Sequence, residues 1–540
     1  MPRELITIQV GQCGNQLGCK FWDMALSEHA QYSSSGCFDD SMSSFFRNVS
    51  SAGEKAQEIP LGDGRQEMQW LRARAVLVDM EESVLNETLS GPLGELFDSR
   101  QMIKDVSGSG NNWAHGHCVY GPKYEAKILD TIRQATELCD SLQSFFLIHS
   151  LGGGTGSGLG TYILSMLEDN FPDVYRFTTA IVPSRTDDVI TSPYNSMLSL
   201  RELVDHADCV LPMENKALID ICNRAGKLAN RGNAAGGGKV ITSTITGDSH
   251  RNNRVHTADK MSPGRAGFDA MNNVAAHVLT NLTCSMRFPG PLNVDLNEIT
   301  TNMVPFRGLH FLMPSLSPTV ATFTDKQYQG SQKKSTMRSR ALNRHSASAS
   351  SRASEPTRER TSGLNQVFTE AFSRKNQLVC GDPRSHMYLS CAIIVRGSNS
   401  CVSSIQKNIE RMKKKIKMPP WNLDGFKVGI CATPSTAAPF SSSALCLANN
   451  CAIAGTFRGI QEDFYRIYRR KAHVHHYTEF MEQSRFEEAN ESVCNLIELY
   501  EQLDSSVSYN SAGGIFATKT STSEQVRPQL FRRTGPVVGV

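Results

Sequence analysis

The stretch LGGGTGSGLG, Leu151 to Gly160, holds six glycines in ten residues. An apolar, β-prone run, FFLIHS (Phe145 to Ser150), precedes it, and a helix-like run, TYILSMLEDNF (Thr161 to Phe171), follows. A plain strand-to-helix turn needs one or two glycines, not six. Glycine admits positive φ and lets backbone N–H groups approach a ligand closely. The start of a helix leaves N–H groups unpaired and carries partial positive charge, so the pattern points to a bound anion, most simply a phosphate. Thr155 and Ser157 add hydroxyl donors. No lysine follows in the position that a P-loop demands. A second glycine turn, GQCGNQLG (Gly11 to Gly18), comes after the first strand-like run, LITIQV (Leu5 to Val10). Its glycines are too widely spaced for the dinucleotide fingerprint.

Working outward, RAVLVD (Arg74 to Asp79) and FTTAIVP (Phe177 to Pro183) add two more strand-like runs, with helical stretches between. This alternation predicts an α/β fold, a Rossmann-like parallel sheet covered by helices on both faces. Ligands of such sheets sit beyond the carboxyl ends of the strands, where both glycine turns fall.

The chain has 540 residues, 39% hydrophobic and 20% charged, enough for two or three domains with real cores. The first ten residues lack a signal-peptide pattern and no 18-residue apolar run exists, so neither secretion nor membrane spanning is expected. Fifteen cysteines, an odd number without CxxC pairs or zinc spacing, read as reduced thiols of a cytoplasmic protein. His473, His475 and His476 read as surface or packing residues.

Charge is unevenly spread. Residues 223–267, 326–362 and 505–540 carry +6, +7 and +3, so in a chain of net +3 the remainder carries −13. The first of these segments reads as a long basic loop insert closing a domain of residues 1–267. Apolar positions at Met271, Val274, Ala275, Val278, Leu279, Leu282 and Met286 then predict a buried central helix over 268–286. An α+β second domain is expected over 287–455, with runs LHFLMP (Leu309 to Pro314) and MYLSCAIIVRG (Met387 to Gly397). The Ser/Arg-rich insert 326–362 interrupts it and has no core pattern. Two amphipathic helices, a C-terminal helical hairpin, fill 456–504, and a flexible basic tail follows. Nucleic acid is a poor partner for these segments because they lack aromatic platforms.

GQCGNQLG, GSGNNWAHGH (Gly108 to His117), LGGGTGSGLG, SPYNS (Ser192 to Ser196), RFPGPLNVDLNE (Arg287 to Glu298), MVPF (Met303 to Phe306), DPRSHMYLS (Asp382 to Ser390) and YRRKAHVHHYT (Tyr468 to Thr478) together resemble the tubulin family over roughly residues 1–504, inserts apart. SSFFRNV (Ser43 to Val49), DDVITSPYNS (Asp187 to Ser196) and HADCVLP (His206 to Pro212) are most similar to its epsilon class. The resemblance implies GTP or GDP at the strand edge. Gly11, Gln12 and Cys13 would lie along the phosphates with Gln16 close by. Ser109, Gly110 and Asn111 would sense the γ-phosphate, and Gly153, Gly154, Thr155, Gly156 and Ser157 would cradle the β-phosphate. Asp188 is placed for the ribose, and Asn215 and Asn272 for the guanine edge, where amides both donate and accept. Asp79 and Glu81 would hold Mg²⁺, which needs only one or two carboxylates beside phosphate oxygens. Phe268 stands where most members have a base-stacking Tyr, and Ser192 where relatives often have an acid.

The same resemblance implies a shared catalytic site. Asp295 and Glu298, three residues apart and expected on one face of a helical turn, would orient water on the nucleotide of the subunit below, as α-tubulin does. The natural neighbour is then a β-like surface of another tubulin. On its own the chain would be a weak GTPase at most. The insert 326–362 falls where the family makes lateral contacts, so an ordinary microtubule wall is not expected. Basic segments of this kind bind acidic tails of other tubulins at short Debye range, and serines beside arginines invite phosphorylation. The expected setting is the centriole or basal body, with centriolar proteins as further partners. The alternative is a non-polymerising GTP-binding scaffold that holds other tubulins through its basic inserts. No membrane partner is implied.

Overall fold

The computed structural model describes residues 3–33, 40–51, 57–59, 69–185, 187–224, 265–318, 364–397, 401–435 and 442–511. Residues 225–264 of the first basic segment, the whole of 326–362 and 512–540 of the tail lie outside them.

Apolar alternation builds the first sheet. Its strands are β1 (Glu4–Val10), β4 (Ala75–Asp79), β5 (Met102–Lys104), β6 (Leu142–Ser150), β7 (Tyr175–Val182) and β8 (Cys209–Glu214), and β2 (Phe46–Val49) and β3 (Trp70–Ala73) form a separate hairpin. The order is β5-β4-β1-β6-β7-β8 and every neighbouring pair is parallel. The chain runs outward from β1 to β5, then returns to β6 on the other side. Strand order therefore reverses between β1 and β6, and a crevice opens there at the carboxyl ends.

Each face of this sheet buries its own core. Ile6, Ile8, Val10, Phe145 and Leu147 face α3 (Gly121–Glu137), α4 (Gly160–Asn170), α5 (Ser192–His206) and the closing helices Ala454–Tyr468 and Ser484–Ser511. Leu5, Leu77, Phe146 and Ile148 face α1 (Gly11–Tyr32), α2 (Glu82–Ser90) and α7 (Arg265–Leu282). The last helix continues past residue 504, where the sequence pattern sets a tail. Its apolar stripe ends at Leu503, but extending a formed helix adds one bond per residue fixed and needs no burial.

α7 is wedged between the parallel sheet and a second, mixed sheet of β9 (Met313–Ser317), β10 (Tyr388–Arg396), β11 (Phe426–Cys431) and β12 (Ser443–Asn450) in the order β11-β10-β12-β9. LHFLMP is not one strand. Val210 N–H donates to the His310 carbonyl and Leu312 N–H to the Val210 carbonyl, so this segment edges β8 before β9 begins. The central helix also stops short of residue 286. At Thr280 the carbonyl accepts from the Arg287 guanidinium at 2.8 Å, which competes with the helical ladder, and a short helix, α8 (Cys284–Arg287), follows. Arg287 and Arg396, both fully buried, bridge Glu28 of α1 at 2.6 and 2.9 Å. Burial raises the Glu28 pKa, but the two guanidiniums outweigh it and hold it at about 2. This ion cluster ties the two domains together.

The joint between α4 and α5 gives a pH-dependent test. Burial lowers the His206 pKa, yet hydrogen bonds to Glu202 and Glu168 and their charges outweigh it and raise it to about 9. Its Nδ1 lies 2.5 Å from Glu168 and its Nε2 3.3 Å from Glu202. The folded pKa is above the unfolded one, so this stability is fully present below about pH 6.5 and is lost as pH rises through about 9. Thermal melts of His206→Gln and wild type should differ by an amount on the order of 3 kcal/mol near pH 6 and converge near pH 10. An equal gap at both pH values would rule the ion pairs out.

Candidate functional site

The two glycine turns meet in the crevice between β1 and β6. Gly11, the first residue of α1, has φ +75°, and a Cβ there would stand 2.9 Å from the Gly156 nitrogen. In the Leu151–Gly160 stretch the glycines serve a different need from the one the sequence suggests. None of them has positive φ. At Gly154 and Gly158 neighbouring backbone fills the space: a Cβ at Gly158 would lie 2.3 Å from the Trp113 carbonyl oxygen, and one at Gly154 2.5 Å from the Asn112 nitrogen. Thr155–Leu159 winds as a π-helical turn leading into α4, a feature frequent at functional sites.

The loop after β5 closes over this turn. Gly110 and Asn111 take left-handed φ of +58° and +53°. Ser109 Oγ lies 2.9 Å from Thr155 Oγ1. Asn195, buried in α5, holds both loops at once: its Nδ2 donates to the Asn111 carbonyl at 2.9 Å and the Gly152 carbonyl at 2.7 Å, and its Oδ1 accepts from Trp113 N–H at 2.9 Å. Sequence reasoning places Asn195 within SPYNS but gives it no role. Its only local signal is an amide amid buried helix positions. Ser192, near the start of the same helix, is buried and turns its hydroxyl toward the Gly152 carbonyl at 3.5 Å.

Carboxylates surround the crevice. Asp79 ends β4, where burial is the largest influence and raises its pKa to about 7, against the backbone N–H groups of Glu81 and Met80, which lower it, and with the Glu81 charge, which adds to the rise. Its Oδ2 is buried without a hydrogen-bond partner among the described residues. Glu81 is exposed, and its Oε1 would lie 2.8 Å from a Cβ at Gly108. An orphaned, desolvated carboxylate oxygen with a second acid two residues on fits a divalent cation. Among the described residues no cluster of three metal-binding side chains exists, which suits Mg²⁺ that takes its other ligands from phosphate and water.

On the other flank, Asp188 is exposed, whereas its neighbour Asp187 is built in. Asp187 accepts from Ser184 N–H at 2.9 Å, Ser184 Oγ at 2.8 Å and Asn215 Nδ2 at 3.1 Å. Sequence reasoning gives Asp187 no role, because adjacent aspartates are indistinguishable until the turn is folded. Burial, then the Asp187 charge, pushes the Cys13 thiol up to about 12, so Cys13 is not a nucleophile. Gln12 is exposed and Gln16 half-buried on the first turns of α1. Phe268, 43% exposed, and half-buried Asn272 lie one turn apart at the start of α7. Among the described residues neither side chain has a polar or ring partner.

Asp295 and Glu298 are at the opposite edge of the sheet. Asp295 is not in the helical turn. It is the cap of α9 (Leu296–Met303), with extended backbone and a carboxylate that accepts from Glu298 N–H at 2.6 Å. An unpaired N–H at the helix start draws the side chain inward, so the two acids do not share a helix face as the spacing suggests. Asp295 also pairs with Arg3, just before β1, and with Gln143 of β6 at 3.4 Å. Glu298 is half-buried and pairs with Lys427 of β11. Both acids nevertheless line one cavity of about 570 Å³ with Arg3, Asn293 and Phe288. The nine residues of β6 separate this cavity from the glycine turn by roughly 25–30 Å.

Comparison with known proteins follows the same division. Residues 4–223 match the family model described as the Tubulin/FtsZ family, GTPase domain, and residues 348–462 match the tubulin C-terminal domain. The chain is 46% identical over 511 residues to a tubulin epsilon chain of Mus musculus, covering 94% of this chain and 97% of the relative. The tubulin epsilon chain of Homo sapiens is 46% identical over 509 residues, with 93% and 96% covered. A tubulin beta chain of Encephalitozoon cuniculi is 30% identical over 503 residues, with 93% and 96% covered. Among the described residues no helix is long and apolar enough to cross a membrane.

Proposed function

Because this chain belongs to the tubulin family, we propose that it is a GTP-binding cytoskeletal subunit that stacks head to tail on other tubulins, and that its Glu298 acts on the nucleotide of the subunit beneath. One observation carries this reading. The glycine loops close one edge of the six-stranded sheet and the Asp295–Glu298 cavity lies at the other, so one chain cannot bring both halves to the same phosphate. A head-to-tail contact does so, and repeating it gives a linear array.

In this reading Gly11, Gln12, Cys13, Gln16 and the Gly153–Ser157 loop hold the phosphates, with Ser109, Gly110 and Asn111 at the γ end. Asp187 and Asp188 flank the ribose. Asn215 and Asn272 read the guanine edge, and Phe268 stacks on its face. Asp79 and Glu81 would hold Mg²⁺, which neutralises phosphate charge when bound. In the neighbour's site Glu298 orients the attacking water, and Asp295 fixes the helix that carries it. The chain's own Glu298 lies at the far end of the sheet from its nucleotide, so hydrolysis there awaits a partner above. The cellular setting is the centriole or basal body, with centriolar proteins as further partners.

Co-sedimentation with αβ-tubulin and GTP tests the assembly: the chain should pellet with the polymer. A second reading, a soluble scaffold, is favoured by the Lys427–Glu298 and Arg3–Asp295 pairs, which neutralise both acids within the chain. A protein that stays in the supernatant and leaves phosphate release unchanged would support it. The cation site has its own test. Asp79→Asn should weaken GTP retention about tenfold or more in Mg²⁺, with the difference from wild type vanishing in EDTA. A variant that retains GTP equally in both would remove Asp79 from the site.

A further inference from the structure

A groove of about 300 Å³ runs between α6, residues 215–224, and the turn around Arg374–Asn376. Four cations line it: Lys216 and Arg224 from the helix, Arg374 and Lys375 from the turn. The one carboxylate in the lining is Asp220. Elsewhere on the surface, Arg185, Arg201, Arg458, Arg466 and Lys413 each face an acid of the same chain. The groove cations do not: among the described residues none of the four has an ion-pair partner, and Arg224 donates only to the Lys375 carbonyl. Gathering like charges unpaired in a concave, partly walled space focuses a positive potential there. Three of the four side chains belong to exposed residues, so an approaching anion reaches them freely.

The lining also distinguishes among anions. Gln377 is 4% exposed, donates from Nε2 to the Ala371 carbonyl at 3.3 Å, and leaves Oε1 without a partner among the described residues. A buried acceptor left unmatched costs free energy unless a ligand supplies a donor. Phosphate at neutral pH offers the groove mainly acceptors. A peptide offers both carboxylates for the cations and backbone N–H groups for an amide oxygen. Among the described residues no aromatic side chain lines the groove to serve as a platform on which nucleic-acid bases would stack. The volume is at the lower end for a ligand site and suits a short segment.

We propose that this groove binds a carboxylate-rich peptide segment of a partner protein through Lys216, Arg224, Arg374 and Lys375, with Gln377 accepting a backbone N–H. The site is separate from the Asp295–Glu298 cavity and does not require that the subunit assemble head to tail.

The test uses the full-length protein loaded with nucleotide and a fluorescein-labelled oligoglutamate peptide, read by anisotropy at low and at physiological salt. Arg374→Gln/Lys375→Gln should weaken binding about tenfold and flatten its salt dependence. Guanine-nucleotide affinity and melting temperature should stay unchanged. Arg374→Gln alone, at an exposed position, should give about a threefold loss and serves if the double variant is poorly folded. An oligoglutamine peptide should not bind. Unchanged oligoglutamate affinity in both variants would overturn the proposal and place the peptide on other basic segments. Displacement of the peptide by inorganic phosphate at equal concentration of charge would overturn the peptide assignment in favour of a simple anion site.

Discussion

Glu298→Ala should leave the chain able to bind GTP and to pellet with αβ-tubulin, while phosphate release stimulated at the contact beneath it falls by about a hundredfold or more. Asp295 and Glu298 look alike in sequence but differ in the fold. Asp295 caps α9 and pairs with Arg3, so its removal costs the helix about 1 kcal/mol and blurs any catalytic effect. Glu298 caps nothing. Its carboxylate meets Lys427 at the rim of the cavity, and a half-exposed pair of this kind contributes little to stability. Lys427→Met keeps the acid and removes its partner; it should retain stimulated hydrolysis, whereas Glu298→Ala should not. The measurement is phosphate release in the pelleted fraction, with bound nucleotide counted separately. Stimulation that survives Glu298→Ala would reject the catalytic assignment. Loss of pelleting with stimulation per contact intact would show that the pair serves docking instead.

The second large effect is expected at Gly11. Alanine there must adopt φ near +75°, which costs roughly 1–2 kcal/mol for an L-residue. Its Cβ must also stand 2.9 Å from the Gly156 nitrogen and 3.1 Å from its Cα. Both contacts are backbone, so no side chain swings away; the two phosphate turns must part. A shift of about 1 Å in such a site costs on the order of a hundredfold, and Gly11→Ala should lose GTP affinity by at least about that factor. Gly308→Ala is the control. Gly308 has φ +90°, and a Cβ there would meet nothing within 4 Å, so it carries the backbone strain without the collision. It should lower the melting temperature and leave nucleotide affinity unchanged. Equal nucleotide affinity in the two variants would show that the turns are not packed as described.

Much of this was legible in the sequence because it is local. The period-two apolar pattern of Leu5–Val10 and Phe145–Ser150 places alternate residues on two cores, and the glycine-rich turn falls between a strand and a helix as the pattern predicts. The place of Asp79 at the end of β4 was legible for the same reason. The tertiary structure alone decided the rest, since it depends on contacts between distant residues. Asn195 reaches back 84 residues to Asn111, and Arg3 reaches forward 292 to Asp295. Which of Asp187 and Asp188 turns inward depends on Asn215, at the start of α6, reaching Asp187 across 28 residues. Gly154 and Gly158 prove necessary for volume rather than for φ, because the backbone of Asn112, Trp113 and Gly116 packs against them. Above all, the parallel register sets the glycine loops and Glu298 at opposite ends of the same strands. A sequence pattern names both sets of residues, but only the folded sheet fixes the distance on which the proposal of a shared site rests.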